Sequence, residues 1–396
     1  MANEFAKSRG LHMEQKRALC ECAPLMELLQ DDEIFFAVRS EYCNLYYKCA
    51  SMGKISFCSE STGQLPSLIV TTNAKYLKGI NFKKGSNGYV EFRGDSLDEF
   101  FRRASRDAPD DISIRRQIDK HYKSNEAREK VAQQRLVQAN NVNPCAEWFC
   151  TDIEYIQPGI GQKGEKEQYG RFDVIAVKKT PDKRGQYPVA IIELKVGSSA
   201  YKTAAKDVPE DIVKIEYLPG RKTPKYTLRK PFDLKTDSRS LGSGIVGHLA
   251  DFYRFQHRKT DPFGEPVDRF GLLKEDICEA IYMRKELHLP VCPELSVDLE
   301  PDMLSKEPLF YFVTLCQNND QKNSCIISTQ NYINQRKTNR NSPSQLNAMK
   351  LYGAHLLEAE PDAFQNVFFL FSNTVDPDDI LSSSFESLDR DKYLFK

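Results

Sequence analysis

The sequence predicts an α/β protein whose main domain follows an N-terminal α+β unit, and three observations lead to that class. Residues 189–192 are apolar at every position, the pattern of a central strand covered on both faces. Upstream, Phe172-Asp173-Val174-Ile175-Ala176-Val177 forms a second β-like run, joined to the first by a polar turn, so the pair reads as a hairpin. Segments of helical period lie on either side, and strands alternating with helices pack as helices on a sheet.

The N-terminal unit, residues 1–105, starts with a helical stretch at 17–29 and continues in strand-like runs. These are Ile34–Val38, 42–49, 55–58 and 68–72, with Ser51-Met52-Gly53-Lys54 as the hairpin turn between the second and third. The apolar spacing then predicts a helix at Leu97–Ala104. Residues 106–123 are a charged connector, and the main domain runs over 124–396, with a core at 124–260 and an extension at 261–396. Its first helix is read at 124–137, with Ser124 or Asn125 as N-cap and Glu126 and Glu129 in the first turns, where the helix dipole favours acids. Residues 148–156 read as the first strand, ahead of the hairpin. A helix at 245–255 follows the hairpin, with Ile245, Leu249 and Phe252 on its apolar face. A further helix spans 272–288 and stops before Pro290. The β runs Leu309–Leu315 and 366–371, separated by a polar stretch at 317–348, read as extensions of the central sheet.

Charge at the end of the central run singles out a candidate site. Glu193 and Lys195 stand two residues apart and so share one strand face, with Leu194 on the other. Ionised groups emerging from a buried strand are costly unless they are paired or bind a metal. Asp173 and Glu193 on neighbouring runs, with the Leu194 carbonyl between them, offer the oxygen ligands that Mg²⁺ prefers and Mn²⁺ also accepts. Lys195 beside them can orient or deprotonate a water, or neutralise charge on a scissile phosphate. Glu-x-Lys alone is common and usually marks a surface pair worth little energy. The buried run, the upstream aspartate and the preceding helix together make the pattern specific.

The spacing Asp173-x19-Glu193-x-Lys195 on a hairpin, flanked by Tyr169-Gly170-Arg171-Phe172 and Val196-Gly197, resembles the PD-(D/E)xK nuclease superfamily. Phe172 stands where the superfamily's name places a proline, a position that varies within it. The resemblance implies a restriction-endonuclease-like core, a central mixed sheet flanked by helices, over residues 124–260. It also implies a metal-dependent phosphodiesterase, most simply a DNA endonuclease of restriction, phage defence or repair. Asp173, Glu193 and the Leu194 carbonyl would then hold Mg²⁺, and Lys195 would position the attacking water and stabilise charge on the phosphate. Members often carry another acid on the first helix, a role that falls to Glu129, with Glu126, Glu147 and Glu154 as rivals. The contrasting reading is a catalytically inactive subunit that keeps the fold to dock nucleic acid or protein.

Two further features are weaker. The segment Ser240-Leu241-Gly242-Ser243-Gly244 could offer backbone N–H groups to a phosphate, but it reads more readily as an ordinary flexible lead-in to a core helix. His248 and His257 have no acid or cysteine at ligand spacing and are expected to be satisfied or exposed histidines.

Composition sets the outer bounds. The 396 residues are 40% hydrophobic and 28% charged, without a stretch of the roughly 18 apolar residues that would span a membrane. The N-terminus lacks the apolar region of a signal peptide, so the expectation is a cytoplasmic protein. The 11 cysteines lack a C-x2-C pair and read as reduced thiols rather than disulfides or a zinc site. Net charge is zero, but basic residues cluster. One run is Arg102, Arg103, Arg106, Arg115, Arg116, Lys120 and Lys123. A second is Lys202, Lys206, Lys214, Arg221, Lys222, Lys225, Arg229 and Lys230, and a third holds Lys322, Arg336, Lys337, Arg340 and Lys350. Beside a phosphodiesterase site such runs are candidate phosphate contacts, with Tyr201 and Tyr226 placed to stack on bases. Acids gather near the C-terminus, from Asp376 to Asp391. The expected partners are therefore nucleic acid, most simply DNA, and a second copy of the chain or another subunit, with no membrane. No Walker or Gly-rich nucleotide motif occurs.

Overall fold

A computed structural model describes residues 9–58, 64–78, 87–124, 128–160, 166–197, 213–220, 225–228, 245–257, 266–295, 298–334, 366–373 and 386–387. Two helices open the chain, α1 (Met13–Glu21) and α2 (Ala23–Leu28), where one was expected; Pro24 at the start of α2 forces the break. A five-stranded antiparallel meander follows: β1 (Ile34–Val38), β2 (Cys43–Tyr47), β3 (Ala50–Cys58), β4 (Ser67–Asn73) and β5 (Tyr89–Arg93). The β2–β3 turn lies at Lys48-Cys49, both at positive φ, and not at the Ser51–Lys54 stretch. Gly53 instead lies inside β3, where a Cβ would come within 2.7 Å of the Phe100 ring, so the residue is there to let that ring approach.

Helix α3 (Leu97–Ala104) matches its apolar spacing and buries Phe100 and Phe101. The expected connector contains α4 (Ile114–Ser124), whose Ile114 and Ile118 complete the N-terminal core. Ser124 thus closes one helix instead of capping the next, and α5 spans Arg128–Val142; Asn125 and Glu126 lie outside the described residues.

The second sheet holds β6 (Trp148–Ile160), β7 (Lys166–Lys178) and β8 (Val189–Val196) as an antiparallel hairpin series. A separate two-stranded ribbon comes next, β9 (Val213–Glu216) with β10 (Lys225–Leu228). Then come α6 (Ile245–His257), α7 (Arg269–Glu286), β11 (Leu309–Leu315), α8 (Asn319–Asn334), β12 (Val367–Ser372) and β13 (Glu386–Ser387). The sheet order is β13-β12-β11-β8-β7-β6, with β8, β11 and β12 mutually parallel. The last strands extend the central sheet, as expected. Helix α8 falls in the stretch read as polar, because parallel β11 and β12 need a crossover connection between them.

Strand β8 is buried along its first six residues. One of its faces packs Val189 and Ile191 against Leu249 and Phe252 of α6 and Leu273 and Ile277 of α7. Phe252 stacks on Phe310 at 4.5 Å between ring centroids, worth about 0.5–1.5 kcal/mol beyond burial. The other face packs Ala190, Ile192 and Leu194 against Ala132, Leu136 and Val137 of α5. The far side of α5 meets Phe35, Ala37 and Tyr46 of the N-terminal sheet. Gln134 of α5 adds polar ties there: it accepts from the Cys49 N–H and donates to the Glu33 carbonyl. Helix α5 is therefore a layer shared by both sheets. No described helix is long and apolar enough to cross a membrane.

Candidate active site

The site lies where β8 runs out of the sheet. Pairing between β7 and β8 extends only to Val174 and Ile192, and beyond that point the strands part. Asp173 turns its carboxylate into the gap, where Oδ2 accepts the Leu194 N–H at 2.7 Å. A side chain thus satisfies an amide that the ladder leaves open. Glu193 and Lys195 follow on β8, and the first turn of α5 brings Glu129 from one layer while the first turn of α6 brings His248 from the other.

The three acids converge on the Lys195 ammonium. Nζ lies 2.6 Å from Glu193 Oε1, 3.2 Å from Glu129 Oε1, 3.9 Å from Asp173 Oδ2 and 3.1 Å from the Leu194 carbonyl. Exposure grades across the cluster: the Glu193 side chain is 3% exposed, Lys195 12%, Asp173 14% and Glu129 38%, so solvent reaches the group from the Glu129 side.

Three carboxyl groups share one ammonium in a poorly solvated place, so ionising all of them would leave excess negative charge. Burial pushes the Asp173 carboxyl up to about 7, against the pull of Lys195 and the Leu194 amide. Burial, reinforced by Asp173, holds Glu193 well above the usual carboxylate range. Burial works against the Lys195 charge, but Glu193, Asp173 and Glu129 outweigh it and keep that group above the ordinary lysine value. An oxygen-rich group short of positive charge has the chemistry to take a divalent cation: Asp173 and Glu193 with the Leu194 carbonyl, and Glu129 at the open side. Among the described residues no set of three His, Cys, Asp or Glu side chains is arranged as a ligand shell, and Lys195 itself holds the centre.

Two acids weighed against Glu129 are engaged elsewhere. Glu147 pairs with Lys178 at 3.3 Å. Glu154 lies within β6 at φ 52° and is gripped by Lys130 at 3.3 Å and Arg171 at 2.7 Å. These cations hold its carboxyl below the usual range despite its burial. Phe172, in the variable position, packs edge-on against Phe255 at 5.2 Å.

His248 is the residue that sequence spacing missed. It was expected to be satisfied or exposed, yet Nε2 lies 3.1 Å from Glu193 Oε1, and that buried nitrogen has no hydrogen-bond partner of acceptable geometry. Burial, with Lys195 adding to it, lowers its pKa to about 3, so the contact is not an ion pair near neutrality. Only packing of α6 across the sheet makes the approach, because the two residues are far apart in the chain.

The basic runs divide. Arg102, Arg103, Arg106, Arg115 and Arg116 are all paired with acids, namely Glu99, Asp31, Asp32, Glu33 and Asp110. Five of the seven residues of that run therefore engage acids of the N-terminal unit and the connector. Lys214, Lys225 and Tyr226 fall on the β9–β10 ribbon and Lys322 on α8. The remaining residues of the second and third runs, with Tyr201, the 240–244 segment and the acids from Asp376 to Asp379, lie outside the described residues. The cysteines are free thiols. Compared with protein-family models, with curated proteins and with solved structures, the chain matches none.

Proposed function

We propose that the chain is a metal-dependent phosphodiesterase, most simply a DNA endonuclease of restriction, phage defence or repair. The observation that carries this reading is the convergence of Glu129, Asp173 and Glu193 on Lys195 Nζ at the mouth of a parted hairpin. A helix, a three-strand antiparallel series and a returning helix, with parallel strands added beyond, also suit the restriction-endonuclease-like core that the motif implies. Paired surface groups would not be buried at a cost, and Lys195 turns inward to the acids rather than outward to a surface partner.

A bound divalent cation would supply Lewis-acid stabilisation of the phosphate and a water of lowered pKa. Asp173, Glu193 and the Leu194 carbonyl are the groups to hold it. The hydrogen bond from the Leu194 N–H orients the Asp173 carboxylate. Lys195 offers N–H donors at the point where negative charge accumulates during phosphoryl transfer, and Glu129 on the solvent side can order the attacking water. The raised carboxyl pKa values mean that the acids resist ionising together until positive charge arrives.

The test is cleavage of plasmid and oligonucleotide DNA by the purified chain with Mg²⁺ or Mn²⁺, beside Asp173→Ala and Lys195→Ala. Expected are cleavage by wild type, its loss with EDTA, and a drop of about 10²-fold or more in each folded variant. Cleavage surviving both substitutions would remove the site from the mechanism. Nucleic-acid binding without cleavage under any metal would favour the non-catalytic docking subunit.

A further inference from the structure

A buried nitrogen without a partner needs an explanation, since such atoms are rare and each costs free energy. His248 Nε2 is one, and it points at the most buried acid of the site. The ring is held in place by the first turn of α6 and by Phe312, whose ring centroid is 6.2 Å away. Nε2 and Glu193 Oε1 are 3.1 Å apart without a hydrogen bond joining them. Two ligands bound at right angles to one ion, each about 2.1 Å from it, stand about 3.0 Å apart. The two atoms therefore already have the separation of neighbouring ligands.

We propose that His248 Nε2 is a nitrogen ligand of the cation bound at this site, and that it makes the site prefer a first-row transition ion over Mg²⁺. The assignment rests on the metal-dependent reading above and adds a ligand from the opposite helical layer. Imidazole suits transition ions, whereas Mg²⁺ favours oxygen donors and gives up its waters reluctantly. Lys195 Nζ now supplies the positive charge beside the same Glu193 oxygen, and Glu129 provides that ammonium with a second, more exposed partner.

Isothermal titration of the 396-residue chain with Mn²⁺ and, separately, with Mg²⁺ tests the assignment, using wild type, His248→Ala, His248→Gln and Asp173→Ala. Titration with Co²⁺ adds a visible absorption spectrum that reports the donor set. Expected is tighter binding of Mn²⁺ than of Mg²⁺ by wild type. Both His248 variants should lose about tenfold or more in Mn²⁺ affinity, with Mg²⁺ affinity little changed and an altered Co²⁺ spectrum. Metal binding that is lost in Asp173→Ala but identical in wild type and both His248 variants overturns the His248 assignment and leaves the metal site standing. Equal losses for Mn²⁺ and Mg²⁺ in folded His248 variants overturn the selectivity. No metal binding by wild type overturns the assignment together with the reading it rests on.

Discussion

Asp152 on β6 and Asp173 on β7 occupy neighbouring strands of one sheet, both largely buried, and are held in opposite electrostatic states. Asp152 meets Arg39 at 2.5 Å and Arg9 at 3.0 Å, and these cations keep its carboxyl below the usual range although burial alone would raise it. Arg39 also donates to the Ile153 carbonyl, so both sides of the pair are satisfied. Asp173 shares one ammonium with two other acids, and its pKa rises to about 7. Asp152, held by two guanidinium groups, ties the N-terminal sheet to the main one. The group around Lys195 sets three carboxyl groups against one ammonium, the imbalance on which the proposed cation site rests.

The comparison breaks if the two aspartates respond alike. Asp152→Ala strands Arg39 in the interior and is expected to cost about 3–5 kcal/mol, read as a shift in the urea midpoint at constant slope. Gln134→Ala, which leaves the Cys49 N–H and the Glu33 carbonyl without partners, should cost about 1–3 kcal/mol in the same assay. Asp173→Asn removes a charge that burial opposes, so at pH 8 it should leave the midpoint unchanged or raise it while abolishing metal binding. A loss as large as that of Asp152→Ala would make Asp173 a structural ion-pair partner.

The pH dependence sharpens the contrast. The depressed carboxyl of Asp152 contributes stability that is present above the unfolded value near 3.8 and is lost as pH falls through the lower folded value. The raised carboxyl of Asp173 makes the native state bind more protons than the unfolded chain between 3.8 and about 7, so stability declines as pH rises through that window. Urea midpoints measured across pH 4.5–7.5 should therefore fall less steeply in Asp173→Asn than in wild type. The smallest effect is expected from Arg116→Ala, which breaks an exposed pair with Asp110 and should change stability by no more than about 0.5 kcal/mol.

Much of this arrangement was legible in the chain. The uninterrupted apolar run before Glu193 marked β8 as central, and Leu97–Ala104 matched its helical spacing to the residue. Strand β5, the Lys48-Cys49 turn and α8 were not legible. The residues of β5 alternate for too short a stretch to stand out, the turn depends on two non-glycine residues at positive φ, and α8 is mostly polar. The basic stretch from Arg102 to Arg116 shows its cations in the sequence, but not the acids that fold against them.

The sequence by itself determined that an acid, an acid and a lysine would meet at one strand end, because hairpin spacing and two-residue alternation are local rules. It also set the mixed α/β character of the main domain, through runs too apolar to lie anywhere but between layers. The tertiary structure decided which remote residues complete the group. Glu129 rather than Glu147 or Glu154 reaches Lys195, and His248 reaches Glu193 from the opposite face. Those approaches depend on how α5 and α6 cross the sheet, a matter of packing between elements far apart in the chain, which no local pattern encodes.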